Sequence, residues 1–145
     1  MAILSLSTID IPHGLDERKS FLIKYFKDNI QGKSIINIDT GLSIKFGRNS
    51  RMKTAERHNS KETTVVIMNI IVVLQNATYN NFGDPKPKHL LKYPSLKKFV
   101  NFKCKVRIDG KVKDYRISCM ILQGNKVQYD LHESSLEYAT NSGKK

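Results

Sequence analysis

Acidic residues are scarce in this chain: 13 Asp and Glu stand against 25 Lys and Arg in 145 residues, leaving a formal charge of +12. That imbalance argues for an anionic partner, with nucleic acid ahead of a membrane surface. Cysteine is scarce as well. Cys104 and Cys119 belong to no Cys-x-x-Cys and no Cys/His cluster, which argues against zinc and leaves no metal or cofactor to expect. Long hydrophobic runs are missing. The longest, residues 65–74, is interrupted by Asn69 and too short to span a bilayer. The start Met-Ala-Ile-Leu-Ser-Leu lacks the basic region and apolar core of a signal peptide, so a reducing, cytoplasmic setting is expected. No Walker loop, GxGxxG, HExxH or GxSxG motif occurs.

What is present is positive charge concentrated in one place. Ten Lys or Arg fall within residues 86–113 against the single acid Asp109, a net charge of +9. The same stretch reads as a β-hairpin. Residues 100–108 run V-N-F-K-C-K-V-R-I, and Asp109-Gly110 turns the chain into residues 111–122. Asp-Gly between alternating apolar runs signals a type I′ turn, because both central positions need φ > 0. Strand period two puts Val100, Phe102, Cys104, Val106 and Ile108 on one face, and Asn101, Lys103, Lys105 and Arg107 on the other.

A two-residue turn pairs residue 108 with 111, hence Cys104 with Tyr115 and Cys119 with Val100. The cysteines are then not cross-strand neighbours, which puts a disulfide out of reach and reads both as core thiols. Lys103 comes to oppose Arg116, and Lys105 opposes Asp114 as a surface ion pair. The register of the next strand, residues 126–132, follows from burial. A three-residue loop, with 122 facing 126, lines Val127, Tyr129 and Leu131 up with Ile121, Cys119 and Ile117. A two-residue loop would instead turn them onto the charged face, forfeiting roughly 1.5–3 kcal/mol for each large side chain. The three-residue loop predicts two rows across the open face, Lys103–Arg116–His132 and Asn101–Ser118–Asp130. Like charges in direct opposition do not stabilise a sheet; Lys103 and Arg116 either splay into solvent or share an anion such as phosphate.

Elsewhere, residues 1–13 read as a flexible lead and residues 141–145 as a flexible tail of one domain spanning 1–145. A helix is predicted over residues 16–30, ended by Gly32, and strands over 34–39 and 42–46. Residues 47–58 form a polar, basic loop with room for a short helix. Asn59 and Glu62 resemble a capping box opening a buried helix to residue 77. Residues 80–88 read as loop.

These features suit metal-independent RNA cleavage, which needs a base for the 2′-OH proton, an acid for the leaving 5′-oxygen and fixed cations for the phosphorane. Histidine fills either proton-transfer role. His132 falls on the cationic face. His89 lies in K-P-K-H, and His58 ends K-T-A-E-R-H beside Lys53 and Arg57, whereas His13 reads as a loop residue.

The segments I-D-T-G-L-S-I-K-F, M-K-T-A, L-Q-N-A-T-Y, F-K-C-K-V-R-I-D-G-K-V-K-D-Y-R-I and V-Q-Y-D-L-H-E together resemble the phage- and toxin-associated nucleases of the barnase–EndoU–colicin–RelE superfamily. The resemblance covers about two-thirds of the chain. It implies an α+β fold, with N-terminal helices packed on a small twisted antiparallel sheet of four to five strands. It also implies a metal-independent ribonuclease, with Lys53 as the basic-loop lysine and His132 in the closing strand. The expected catalytic set is His132 with His89 or His58, Tyr129 being a weaker candidate. The expected phosphate-binding set is Lys53, Arg57, Lys103, Arg116 and Lys105. RNA, including tRNA, is the expected partner, together with an acidic immunity or antitoxin protein and no membrane. Relatives often carry a histidine early in the central helix, where this chain has Thr63-Thr64; either His58 or His89 replaces it or the protein is inactive. The alternatives are a non-catalytic nucleic-acid-binding module, for which charge alone suffices, and a phage structural or interaction protein that keeps the fold.

Overall fold

The fold is that of a computed structural model describing residues 3–49, 60–131 and 136–139. Lys53, Arg57, His58, Asn59 and His132 lie outside the described residues.

The Asp109-Gly110 turn organises the molecule. Asp109 and Gly110 take φ of 50° and 85°, the left-handed pair that a type I′ turn demands. The flanking strands β5 (Leu96–Ile108) and β6 (Lys111–Leu122) pair in the expected register: Ile108 with Lys111, Lys105 with Asp114, Lys103 with Arg116 and Asn101 with Ser118. The lone acid of the basic stretch has a structural task. Asp109 accepts hydrogen bonds from the Thr8 amide at 3.0 Å and the Thr8 hydroxyl at 2.6 Å, and donates its own amide to Leu6 O at 3.0 Å. These bonds anchor β1 (Leu4–Leu6), which runs parallel to residues 106–108 of β5.

The two hairpin strands are 13 and 12 residues long, and each takes two partners along its outer side. On β5 these are β1 at one end and β4 (Thr78–Gly83) at the other. On β6 they are β7 (Lys126–Leu131) and β8 (Leu136–Ala139). The β6–β7 register is the one set by the three-residue loop, Leu122 against Lys126 and Ile121 against Val127. After Gln128, β7 leaves β6 and continues parallel to β3 (Ser43–Asn49), beyond which lies β2 (Ser34–Ile36).

The expected small antiparallel sheet of four to five strands under N-terminal helices is therefore incorrect. Among the described residues, eight strands, at 42% strand against 30% helix, curl into half a barrel with two parallel pairings. The cause is edge satisfaction. Strands as long as β5 and β6 expose rows of backbone N–H and C=O groups that need partners. Segments read as lead and loop supply those partners as β1 and β4, and residues 136–139, given no element from the sequence, supply β8.

The helices cover the concave side. In α1 (Leu15–Asn29), Asp16 and Glu17 sit in the first turn and Lys27 in the last, which suits the helix dipole, while Leu22 and Phe26 are buried. The helix expected over residues 60–77 is two: α2 (Lys61–Met68) and α3 (Ile70–Asn76), separated at Asn69. The N-cap is Ser60, not Asn59, its hydroxyl accepting from the Thr63 amide at 3.0 Å. Val66, Ile67, Ile70 and Leu74 pack with Phe26, Phe46, Phe102, Ile117 and Tyr129 in one core. Asn37, fully buried, locks the end of α3. Its Nδ2 donates to Leu74 O and Ala77 O, both at 2.8 Å, and its Oδ1 accepts from the Thr40 amide and hydroxyl.

A second, smaller cluster of Leu96, Phe99 and Met120, with Tyr93 and Leu122, is separate from the main core. Phe99 and Met120 are partners in the register and share the parity of Lys103 and Arg116. The ring of His89, in α4 (Pro87–Lys92), meets Phe99 edge-on.

Candidate nucleic-acid interface

Strand alternation places the functional side chains. Val100, Phe102, Val106 and Ile108 are buried, whereas Lys103, Lys105 and Arg107 are exposed on the opposite face. Lys105 pairs with Asp114 at 2.9 Å, as the register requires. The row above it differs from expectation. Because β7 has departed to β3, the place beside Arg116 belongs to Glu137 of β8, whose carboxylate binds the Arg116 guanidinium. Where the expected row was Lys103–Arg116–His132, the register gives Lys103–Arg116–Glu137, which sets an acid beside the opposed like charges. Among the described residues, no carboxylate pairs with Lys103 or Arg107.

Towards the hairpin's open end the same face turns from cationic to polar. Ser118 Oγ donates to Asn101 Oδ1 at 2.6 Å, and Asn101 Nδ2 donates to Asn81 Oδ1 at 2.9 Å. Asp130, only 1% exposed, accepts from the Tyr93 hydroxyl at 3.1 Å and from Gln128 Nε2 at 2.7 Å. Asn101, Ser118 and Asp130 are the second row read from the sequence, and all three are buried. A buried carboxylate is tolerated only when hydrogen-bonded. Gly47 of β3 makes room for this one, since a Cβ there would overlap Asp130 Oδ1.

The remaining candidates separate. Tyr129 is fully buried between Phe26 and Phe46, inside the core and away from the open face. His89 accepts the Lys86 amide on Nδ1 at 3.0 Å, closing the capping box of α4. That bond assigns the ring proton to Nε2 in the neutral form. His13, the loop histidine, has its Nδ1 against the Lys61 ammonium.

A cleft of about 1090 Å³ opens where β1 and β4 leave residues 104–105 of β5 between them, lined by Val72 and Val73 of α3, Cys104, Lys103, Lys105 and Arg116 among others. Cys104, a free thiol, lies partly buried in this lining. Burial, with the Asp114 carboxylate adding to it, pushes its thiol up to about 12 against an opposing hydrogen bond from Tyr115. Burial likewise pushes the Tyr115 hydroxyl up to about 12, opposed by a hydrogen bond with Thr63.

Tyr93, Asn81 and Glu137 were not foreseen as members of this face, whereas the three-residue loop already puts Gln128 on it with Asp130. Asn81 and Glu137 sit on strands that the sequence hides. Tyr93 had one usable signal: a row of small polar residues amid large apolar ones must be closed by nearby donors.

Residues 13–121 match the family model for large polyvalent protein-associated domain 3. The chain belongs to that family. Membership links it to the large polyvalent proteins of phages, not to the nuclease superfamily that its segments resemble. No match was found among curated proteins or among solved structures.

Proposed function

We propose that this large polyvalent protein-associated domain binds RNA across the open face of its β5–β6 hairpin. The carrying observation is the exposure of Lys103 and Arg107 on one face, with no carboxylate against either among the described residues. Cations left uncompensated on a flat sheet are positioned to neutralise phosphates. Titrating labelled RNA with Lys103→Ala and Arg107→Ala at several salt concentrations is the test. Each variant is expected to weaken binding and to lower the salt slope by about 0.7–0.9, the value of one phosphate contact. Unchanged slopes in both would move the RNA elsewhere.

A second reading is metal-independent cleavage of the bound RNA by 2′-OH attack on the same cationic face. In this reading the cations hold phosphate, a histidine such as His132 moves protons, and an acidic inhibitor protein covers the basic face. RNA incubated with the domain in EDTA is expected to yield 2′,3′-cyclic phosphate ends, and DNA to resist. His132→Ala is expected to lose roughly 10²–10⁴-fold in rate, as for a general acid or base. Intact RNA after that incubation leaves the binding module alone standing.

A further inference from the structure

Strand β4 exposes two aromatic rings to solvent. Phe82 is 53% exposed and Tyr79 39%, with ring centroids 5.3 Å apart at 60°. An interval of three would put them on opposite faces of a regular strand. A register shift between Tyr79 and Asn81 brings both to one side instead, Tyr79 against Phe102 and Phe82 against Val100. Bulges of this kind re-aim side chains at sheet edges. Lys98 Nζ stands 5.0 Å from the centre of the Phe82 ring. The Tyr79 amide donates to Asp39 Oδ2 at 2.9 Å, so this end of β4 is held in place. Among the described residues β4 pairs with β5 alone, which leaves its outer edge open.

We propose that Tyr79 and Phe82 form a stacking platform for unpaired bases, making the ligand of this domain single-stranded rather than duplex RNA. The proposal rests on the RNA-binding reading above and specifies which RNA. Half-exposed aromatic rings beside a cation are the components of single-strand recognition, because every base has a π-face and the backbone needs only charge. The neighbouring strand is the most basic of the molecule. By the register Tyr79 and Phe82 share the side of Phe102 and Val100, with Lys98 beside them, and Thr78 shares the side of Lys103, so a strand wrapping this open edge meets the rings and Lys98 on one face of the sheet and Lys103 on the other. Bases stacked inside a duplex cannot reach the rings.

The experiment compares a single strand of about a dozen nucleotides, within the site sizes common for such proteins, with a duplex of the same length. Tyr79→Leu and Phe82→Leu are each expected to lower single-strand affinity about tenfold or more, with duplex affinity and salt slope unchanged. The conservative Tyr79→Phe and Phe82→Tyr are expected to retain single-strand binding. Circular dichroism confirms that each variant is folded. If single-strand affinity survives both leucine variants but falls with Lys103→Ala, the platform is wrong and RNA binding stands. If single-strand and duplex affinity fall together, stacking is wrong. If the wild-type domain binds no RNA, both readings fail.

Discussion

Arg116 and Glu137 face each other across β6 and β8, and their contact neutralises the one cation that directly opposes Lys103. The pair is solvent-accessible, and exposed ion pairs contribute little to stability, so its effect belongs to charge rather than folding. Glu137→Gln is expected to free the guanidinium, strengthen RNA binding and steepen its salt dependence by about one phosphate contact. Arg116→Ala is then expected to cost the wild type less than it costs Glu137→Gln. Salt titrations of the two single variants and the double variant measure this difference.

The Asp109 carboxyl is held below its ordinary value of 3.8, first by the Thr8 hydroxyl and then by the Thr8 amide. A carboxylate whose folded pKa is depressed adds stability above its unfolded pKa, and that stability is lost as pH falls through the folded value. Asp109→Asn is therefore expected to lower Tm at neutral pH. The gap to wild type should close as the pH drops below the ordinary carboxylate range. A constant gap across thermal unfolding scans from neutral to strongly acidic pH would deny the ionic part of the Thr8 contact.

Asn37 satisfies two carbonyls at the end of α3 from a fully buried position. Asn37→Leu leaves both without that donor, and a buried unsatisfied group costs about 1–3 kcal/mol. Urea unfolding should report a loss in this range or above it, with an unchanged m-value.

Gly47 and Asp130 form a steric couple between β3 and β7. Gly47→Ala drives a methyl into the carboxylate and is expected to destabilise the domain by about 1–3 kcal/mol, the usual cost of overpacking. Combined with Asp130→Ala it should cost less than the sum of the two single variants, because the obstructed group is gone. Additive losses in this double-mutant cycle would show that the two side chains do not meet.

Hairpin geometry was legible in the residues themselves. Asp109-Gly110 permits only a tight turn of one hand, and that turn determined every pairing from Ile108–Lys111 to Asn101–Ser118. Burial of Val127 and Tyr129 determined the third strand's register, since a slip of one residue would have turned both out of the core. Period two likewise identified Lys103, Lys105 and Arg107 as one exposed face. Tertiary structure decided who completes that face. Glu137 reaches Arg116 where β7 has ended its pairing with β6 at Gln128 and continues along β3 alone, with Tyr129 paired to Phe46 and their rings meeting edge-on. Nothing local to residues 126–139 encodes it. The three-residue β1 and the polar β4 carry too little alternation to declare themselves; they are strands because the long edge of β5 needs hydrogen-bond partners, and such a need exists only once the hairpin has formed.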